Sequence, residues 1–351
     1  MTYIAKPKVR HPKLPVNVLG LTPRDYEGAM STLCAGCGHD SVTAAIVQAV
    51  FELGIPPHRI AKLSGIGCSS KTPAYFVQQA HGFNSVHGRM PAIATGASAA
   101  NRDLVYLGVS GDGDSLSIGL GQLCHAIRRN VNMLYLIENN GVYGLTKGQF
   151  SASADVGSKA KRGEENVQPP IDPVLLALTL GATFVARGFS GDKAQLVPIL
   201  KAGMQHRGLA LVDIISPCVT FNDHEGSTKS YLHTREHAQP VVIADFVPHA
   251  DPITAEYAPG SVRAVTLHDG SVVNFRKVAE DYDPTDRDAA HAYLMERQRA
   301  GEVATGLLYI DPAAADMNAT LGSVERPLVD LPFEDLCPGD AALQALQDTY
   351  R

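Results

Sequence analysis

The sequence predicts an α/β fold, a doubly wound and mainly parallel sheet with a C-terminal extension, and three observations carry that prediction. Short, nearly continuous apolar runs recur between residues 40 and 216, as strands buried on both faces do. Segments with helical spacing of apolar residues separate them. Several runs end in glycine- or asparagine-rich loops, the place where open α/β sheets hold ligands.

Taken in order, the strand candidates are "RIAKLSGIG", "DLVYLGVSGDG", "VNMLYLIENN", "ATFVARG" and "LALVDIISP". A helix precedes the first of them and carries Glu52, read as a surface residue. Between the second and third, Leu116, Leu120, Leu123 and Ile127 mark one buried helical face, and Cys124 falls on it as a packing residue. That helix is expected to begin near Ser115. The segment "SGDKAQLVPILKAGMQHRG" has an acidic start and a closing Gly208, which suits a crossover helix between the last two strands. Three parts follow: an N-terminal arm (1–30), a main α/β domain (31–235) and a C-terminal extension (236–351) packing on the core or on a partner. In the extension, "RAVTLHDGSVVNFRKV" reads as a hairpin turning at Asp269–Gly270. "DRDAAHAYLMERQRAG" reads as a helix capped by aspartate and ended by Gly301.

With 351 residues, 45% hydrophobic and 19% charged, the chain is long enough for one large core and an appendage. A formal net charge of −6 argues against nucleic acid or an anionic membrane as partner, because both select strongly basic faces. The basic cluster "SKAKRG" is short enough to be a solvated loop. The first twenty residues contain no continuous apolar run of the secretory type, and no stretch reaches the length of a membrane span. A cytoplasmic location is the expectation. In that reducing compartment the six cysteines are expected to be metal ligands, catalytic thiols or packed residues rather than disulfides.

Two loops carry the clearest chemistry: "GDGDS" (111–115) and "ENNGVYG" (138–144), each at the end of a strand candidate. A divalent cation that ties a diphosphate to protein needs oxygen ligands and a backbone able to approach the phosphates closely. A lone GDG also serves as an ordinary strand-to-helix turn. GDG followed some two dozen residues on by NN, however, resembles the signature of thiamine diphosphate enzymes. That resemblance makes Asp112, Asn140 and the main-chain oxygen of Val142 ligands of Mg²⁺, with Gly111 and Gly113 giving close approach.

Four cysteines sit near the same end of the sheet: Cys34 and Cys37 in "STLCAGCGHDS", Cys68 in "GIGCSS" and Cys218 in "SPCVTF". Four thiolates hold a [4Fe–4S] cluster or a tetrahedral zinc equally well, and spacing does not choose between them. The thiamine motif favours the cluster, since decarboxylation on that cofactor produces electrons that zinc cannot take. Cys337 is expected to stand apart.

Together these motifs, with "VHGRMPAIATG" and "RRNVNMLYLIENNGVYGLTKGQ", closely resemble the β subunit of 2-oxoacid:ferredoxin oxidoreductases over roughly two thirds of the chain. The resemblance implies a thiamine diphosphate-binding domain of the PP type, with Mg²⁺ and a [4Fe–4S] cluster. It implies an α subunit that supplies the carboxylate for cofactor activation (an α2β2 assembly), and ferredoxin, coenzyme A and a 2-oxo acid as reaction partners. It also sets Lys71 and Leu145 beside the substrate. A cation at Lys71 would suit the distal carboxylate of 2-oxoglutarate; pyruvate or a branched-chain 2-oxo acid is the nearest alternative. A non-oxidative thiamine decarboxylase or a zinc-stabilised binding module are alternatives of other classes. Gly67, Ser69, His39, His87 and Asp114 lie in the same motifs as candidates to line the cofactor, to extend its phosphate and metal shell or, for the histidines, to steer a proton. Three departures from the family pattern stand out: Ala35 where proline is common, Lys147 where glycine is frequent before "GQ", and "SASADVGSKAKRG" in place of a threonine/proline-rich segment.

Overall fold

The computed structural model describes residues 13–158, 164–220, 251–268 and 270–351. Part of the N-terminal arm, most of "SKAKRG", the hairpin tip at Asp269 and the boundary near residue 235 lie outside the described residues.

The five sequence-predicted strands are present as β1 (Ile60–Ser64), β3 (Val105–Gly111), β4 (Met133–Asn139), β7 (Phe184–Phe189) and β8 (Leu209–Ile215). Short strands β2 (His81–Asn84), β5 (Val142–Tyr143) and β6 (Gln149–Phe150) complete the first part of the chain. Three more lie in the extension: β9 (Val262–Thr266), β10 (Val272–Lys277) and β11 (Glu302–Ile310). Nine strands form one sheet in the order β2-β1-β3-β4-β8-β7-β11-β10-β9, and β5 pairs with β6 apart from it. Pairing is parallel from β2 through β7, then antiparallel between β7 and β11. The sequence-predicted hairpin is the antiparallel β9–β10 pair. The extension thus continues the main sheet through β11.

Alternate residues of each central strand serve two cores, which is why the runs read as continuously apolar. In β4, Met133, Tyr135 and Ile137 join one cluster while Leu134 and Leu136 join the other. Helices α1 (Gly38–Leu53) and α5 (Lys193–Gln205) cover the second face, contributing Ile46, Ala49, Leu196 and Leu200. Helices α2 (Met90–Ala100), α3 (Leu120–Arg129), α4 (Pro173–Thr179) and α6 (Arg287–Arg299) cover the first. Capping follows composition: Asp192 accepts from the Gln195 amide at the start of α5, and Asp286 from the Ala289 amide at the start of α6. Among the described residues, no helix is long and apolar enough to cross a membrane.

Two expectations are corrected. The α-helix after the GDG turn begins at Leu120, not near Ser115; residues Gly113–Ile118 form a wider π-type turn. The Gly119 amide reaches back five residues to the Asp114 carbonyl at 2.9 Å, the wider hydrogen bond of a π-type turn. Cys124 is only partly buried, as is Leu120, because the buried stripe of α3 runs through Leu123, Ala126 and Ile127.

Candidate functional site

The strand order reverses at β1, which has β2 on one side and β3 on the other. A crevice at the carboxyl ends of strands is expected at such a switch point. The loop after β1 carries Gly67, Cys68, Ser69 and Lys71, the turn after β3 is GDGD, and the loop after β4 is NNGVYG.

Asp112 lies at the centre of the site and is 1% exposed. Its Oδ2 accepts from the hydroxyls of Ser151 and Ser153, the latter at 2.6 Å, and its Oδ1 faces the Asn140 amide at 3.5 Å. Burial raises its carboxyl above the usual range, and these donors partly offset that. Asn140 turns its Oδ1 back to the Val142 amide at 3.1 Å, which leaves a second lone pair. Gly111 has no room for a side chain: a Cβ there would come within 2.7 Å of Ser69 Oγ, and Ser69 is itself buried. A Cβ on Gly113 would meet the Tyr143 ring at 2.5 Å. Two backbones free of side chains and an acceptor-only carboxylate beside an amide oxygen are the donor set that a magnesium diphosphate needs.

Asp114 is turned the other way. Its Oδ1 accepts from His87 Nδ1, from the Gly88 amide at 2.7 Å and from the Ile66 amide at 3.2 Å, while Oδ2 accepts from Ser110 at 2.6 Å. These contacts tie the loops after β1 and β2 to the GDGD turn. Gly67 holds φ +141°, which favours glycine. His87 is partly exposed beside Tyr143, with ring centroids 6.0 Å apart.

His39 is fully enclosed, and burial pushes its imidazole down to about 4. Nδ1 lies 2.7 Å from Ser216 Oγ, and Nε2 faces Asn140 Nδ2 at 3.5 Å. The amide can only donate there, so Nε2 accepts and Nδ1 carries the proton. Glu138 lies 3.5 Å from the same Nδ1 and is completely buried, with neither oxygen hydrogen-bonded. Burial raises its carboxyl well above the ordinary value. Sequence reasoning passed over Glu138 as part of the ENN motif.

The four cysteines lie in loops at this end of the sheet, none of them in a disulfide. Cys68 feels the charge of Cys34, and Cys37 that of Cys218. The Thr220 hydroxyl donates to Cys34 Sγ at 2.8 Å, and the Gly38 amide meets the Pro217 carbonyl at 3.3 Å. The loop of Cys34 and Cys37 therefore docks on the loop of Cys218. Strands β1 and β8 are separated by β3 and β4, three strand spacings or roughly 14 Å. Among the described residues no three His, Cys, Asp or Glu side chains form a metal-holding group. Burial raises the Cys37 thiol strongly, and raises that of Cys68 despite the offsetting charge of Lys71. Thiols of this kind release protons when a metal binds. Four cysteine sulfurs are by their chemistry a donor set that a thiolate-held cluster could use.

Lys71 lies in the short turn Ser69–Ala74 and is partly exposed, while Leu145 is 48% exposed at another loop. Cys337 is exposed and lies in the chain's last segment. Sequence reasoning also missed a buried chain of polar side chains behind Asp112. Ser153 reaches Asn139 Oδ1 at 2.9 Å, Asn139 Nδ2 donates to Asp213 at 3.0 Å, and Arg187 donates to Asp213 and Asp172, each at 2.7 Å.

This combination defines a thiamine diphosphate-binding α/β domain. The family model for the thiamine pyrophosphate enzyme C-terminal TPP-binding domain matches residues 65–214, which run from the loop after β1 through most of β8. The chain is 41% identical to the 2-oxoacid:ferredoxin oxidoreductase subunit beta of Saccharolobus solfataricus, over 63% of this chain and 70% of that one. It is 44% identical to the 2-oxoglutarate oxidoreductase subunit KorB of Mycobacterium tuberculosis, over 60% of this chain but 57% of the relative's length. A solved structure of 2-oxoglutarate:ferredoxin oxidoreductase from Magnetococcus marinus, with 2-oxoglutarate, coenzyme A and succinyl-CoA bound, superposes with a TM-score of 0.70 at 30% identity, covering 92% of this chain and 97% of that one. The chain belongs to the β subunits of the 2-oxoacid:ferredoxin oxidoreductases.

Proposed function

We propose that this chain is the β subunit of a 2-oxoglutarate:ferredoxin oxidoreductase, which converts 2-oxoglutarate and coenzyme A to succinyl-CoA and CO2 and passes electrons singly to ferredoxin. The observation that carries this reading is the meeting of Asp112 and Asn140 at the ends of neighbouring strands, with four cysteines outside any disulfide in loops at the same end of the sheet. Asp112, the Asn140 side-chain oxygen and the Val142 carbonyl would hold Mg²⁺. Gly111 and Gly113 would admit the diphosphate, with Gly67, Ser69 and His87 lining its approach. Cys34, Cys37, Cys68 and Cys218 would hold a [4Fe–4S] cluster. Bound there, thiamine diphosphate supplies the carbanion chemistry that releases CO2, and the cluster accepts the electrons.

The chain's own residues bind and orient. His39, kept neutral by burial, presents a lone pair to the Asn140 amide and so aims that amide's oxygen. Asp114 is held by His87 and the Gly88 amide, and Glu138 faces His39 inside the protein. As the family resemblance implies, the carboxylate that activates the cofactor would come from an α subunit, in an α2β2 assembly, and the isolated chain is expected to be inactive. Lys71 would select the second carboxylate of 2-oxoglutarate over pyruvate or a branched-chain 2-oxo acid.

Anaerobic co-purification with the natural partner, with iron, sulfide and thiamine measured per chain, tests the assignment. Four iron atoms per β chain are expected from one [4Fe–4S] cluster; zinc without iron, or no thiamine, would reject it. Lys71→Ala tests the substrate: a selective loss of 2-oxoglutarate turnover is expected, and an unchanged preference would favour the pyruvate-type reading.

A further inference from the structure

We propose that residues 323–351 form an exchange arm that docks on the basic N-terminal segment, residues 1–12, of a second copy of this chain. The proposal does not depend on the cofactors assigned above.

The arm leaves the body at α7 (Met317–Leu321), where Asn318 Nδ2 donates to the Ser98 carbonyl and the Arg102 guanidinium to the Ser323 carbonyl, each at 3.1 Å. Beyond Ser323, every hydrogen bond and ion pair of the arm among the described residues joins two of its own residues. None of its residues is buried, and only Ser323, Pro327 and Leu331 are partly covered. Its composition is nonetheless that of a packed surface. Val329, Phe333, Leu336, Leu343, Leu346 and Tyr350 are all more than half exposed, Val329 and Tyr350 by 86% each.

Two helices carry these side chains, α8 (Phe333–Leu336) and α9 (Asp340–Asp348). Leu343, Leu346 and, just past the helix end, Tyr350 follow the three- and four-residue spacing that sets side chains on one face. A nine-residue helix with no packed face does not hold itself in water, where about 12–15 residues are needed even for good helix formers. The surface that stabilises it therefore lies outside the described residues of the same chain, and a contiguous uncovered apolar stretch of this kind marks an interaction site.

Charge identifies the occupant. The arm carries Glu325, Asp330, Glu334, Asp335, Asp340 and Asp348 against two arginines. Residues 1–12, "MTYIAKPKVRHP", are the complement: Lys6, Lys8 and Arg10, no acidic residue, and Tyr3, Ile4 and Val9 interleaved. Opposite charges fix register while the apolar side chains supply contact area.

The topology assigns the segment to a second copy. Asn17 bonds to the Phe51 carbonyl at 3.0 Å and to the Tyr26 hydroxyl at 2.9 Å, which roots the N-terminal segment beside α1, on one face of the sheet. The arm is rooted on α2, on the other face. Between two copies related by a two-fold axis, each arm reaches the other's segment and the exchange closes with both arms covered. A standard interface takes about 20–30 residues a side, a number that residues 323–351 supply by themselves.

The test is zero-length carbodiimide coupling of amines to carboxylates on the full-length protein in its native assembly, read by denaturing gel and peptide mass spectrometry. The expected product is a band at twice the 37.3 kDa of the chain, in which Lys6 or Lys8 is joined to Glu334, Asp335 or Asp340. The same junction in a band of single mass would place the clasp within one chain, and arm carboxylates joined to the α subunit would make that subunit the occupant; either result overturns the proposal, as does an arm that couples to nothing. L343D/L346D keeps every amine and carboxylate of the junction and alters only exposed positions, so the body stays folded. It is expected to reduce the double-mass band at least tenfold; an unchanged band would show that the apolar face of α9 is not docked and would overturn the proposal as well.

Discussion

The Tyr143 hydroxyl donates to the Gly113 carbonyl across 2.9 Å, and the same ring lies where a side chain on Gly113 would have to go. The loop after β4 is thereby latched onto the turn after β3. Gly113→Ala is expected to push the ring out and break the latch, at a cost of about 1–3 kcal/mol as for other overpacked sites. Thermal unfolding checks the stability, and thiamine diphosphate titration checks the site. Adding Tyr143→Ala should restore the stability but not the binding, since the loop stays unlatched.

Arg187 pairs with two carboxylates inside the protein, and all three groups are largely or wholly out of solvent. The arrangement holds Asp172 below its usual carboxyl range in spite of burial, and raises Arg187. Arg187→Met would leave Asp213 buried without its cation, which is expected to cost about 3–5 kcal/mol. Urea denaturation measures this, and a change below about 1 kcal/mol would show that the ion pairs contribute no more than surface pairs do.

The parts of the fold legible in sequence are those where burial on both faces leaves an unbroken apolar signature. β3, β4 and β8 announce themselves in this way. β2, the exposed edge segment "HGFN", carries no such pattern, and β11 owes its place to antiparallel pairing with the distant β7. Asp112, Asn140 and Val142 were accessible because glycines and asparagines at strand ends form a local motif. Ser151, Ser153 and Glu138 were not, because their partners lie on other elements. One signal was available: Arg187 in "FVARGF" and Asp213 in "LVDII" each interrupt an apolar strand. Opposite charges in two buried strands imply that the strands are neighbours and that the charges meet.

Lys147 adopts φ +80°, the left-handed region, directly before Gly148 at φ +97°. A residue with a Cβ is strained there by roughly 1 kcal/mol, which accounts physically for glycine being frequent at this place in the family pattern. Lys147→Gly is expected to raise stability by about 1 kcal/mol less the added freedom of the unfolded chain. Differential scanning calorimetry would register a small rise in melting temperature; a fall would mean that the lysine side chain makes a contact worth more than the strain.

His206 lies at the end of α5 against Phe184, ring centroids 5.5 Å apart, with Nε2 2.8 Å from Thr183 Oγ1. Asn130 Oδ1 takes the Thr183 hydrogen at 2.8 Å and the Leu209 amide at 2.8 Å, so Nε2 must donate to the threonine oxygen. Burial lowers the imidazole below its ordinary 6.5, partly offset by Asp311. As pH falls below the ordinary value, the unfolded chain takes up a proton that the folded one refuses, so stability decreases until the folded imidazole also protonates. The loss amounts to roughly 1.4 kcal/mol for each unit separating the two values. His206→Gln keeps a donor for Thr183 and removes the titration, so unfolding free energies measured from pH 7.5 down to about 5 should decline less steeply than in the native protein. Equal slopes would show that His206 titrates alike in the folded and unfolded chain, leaving burial at this helix end without the effect assigned to it.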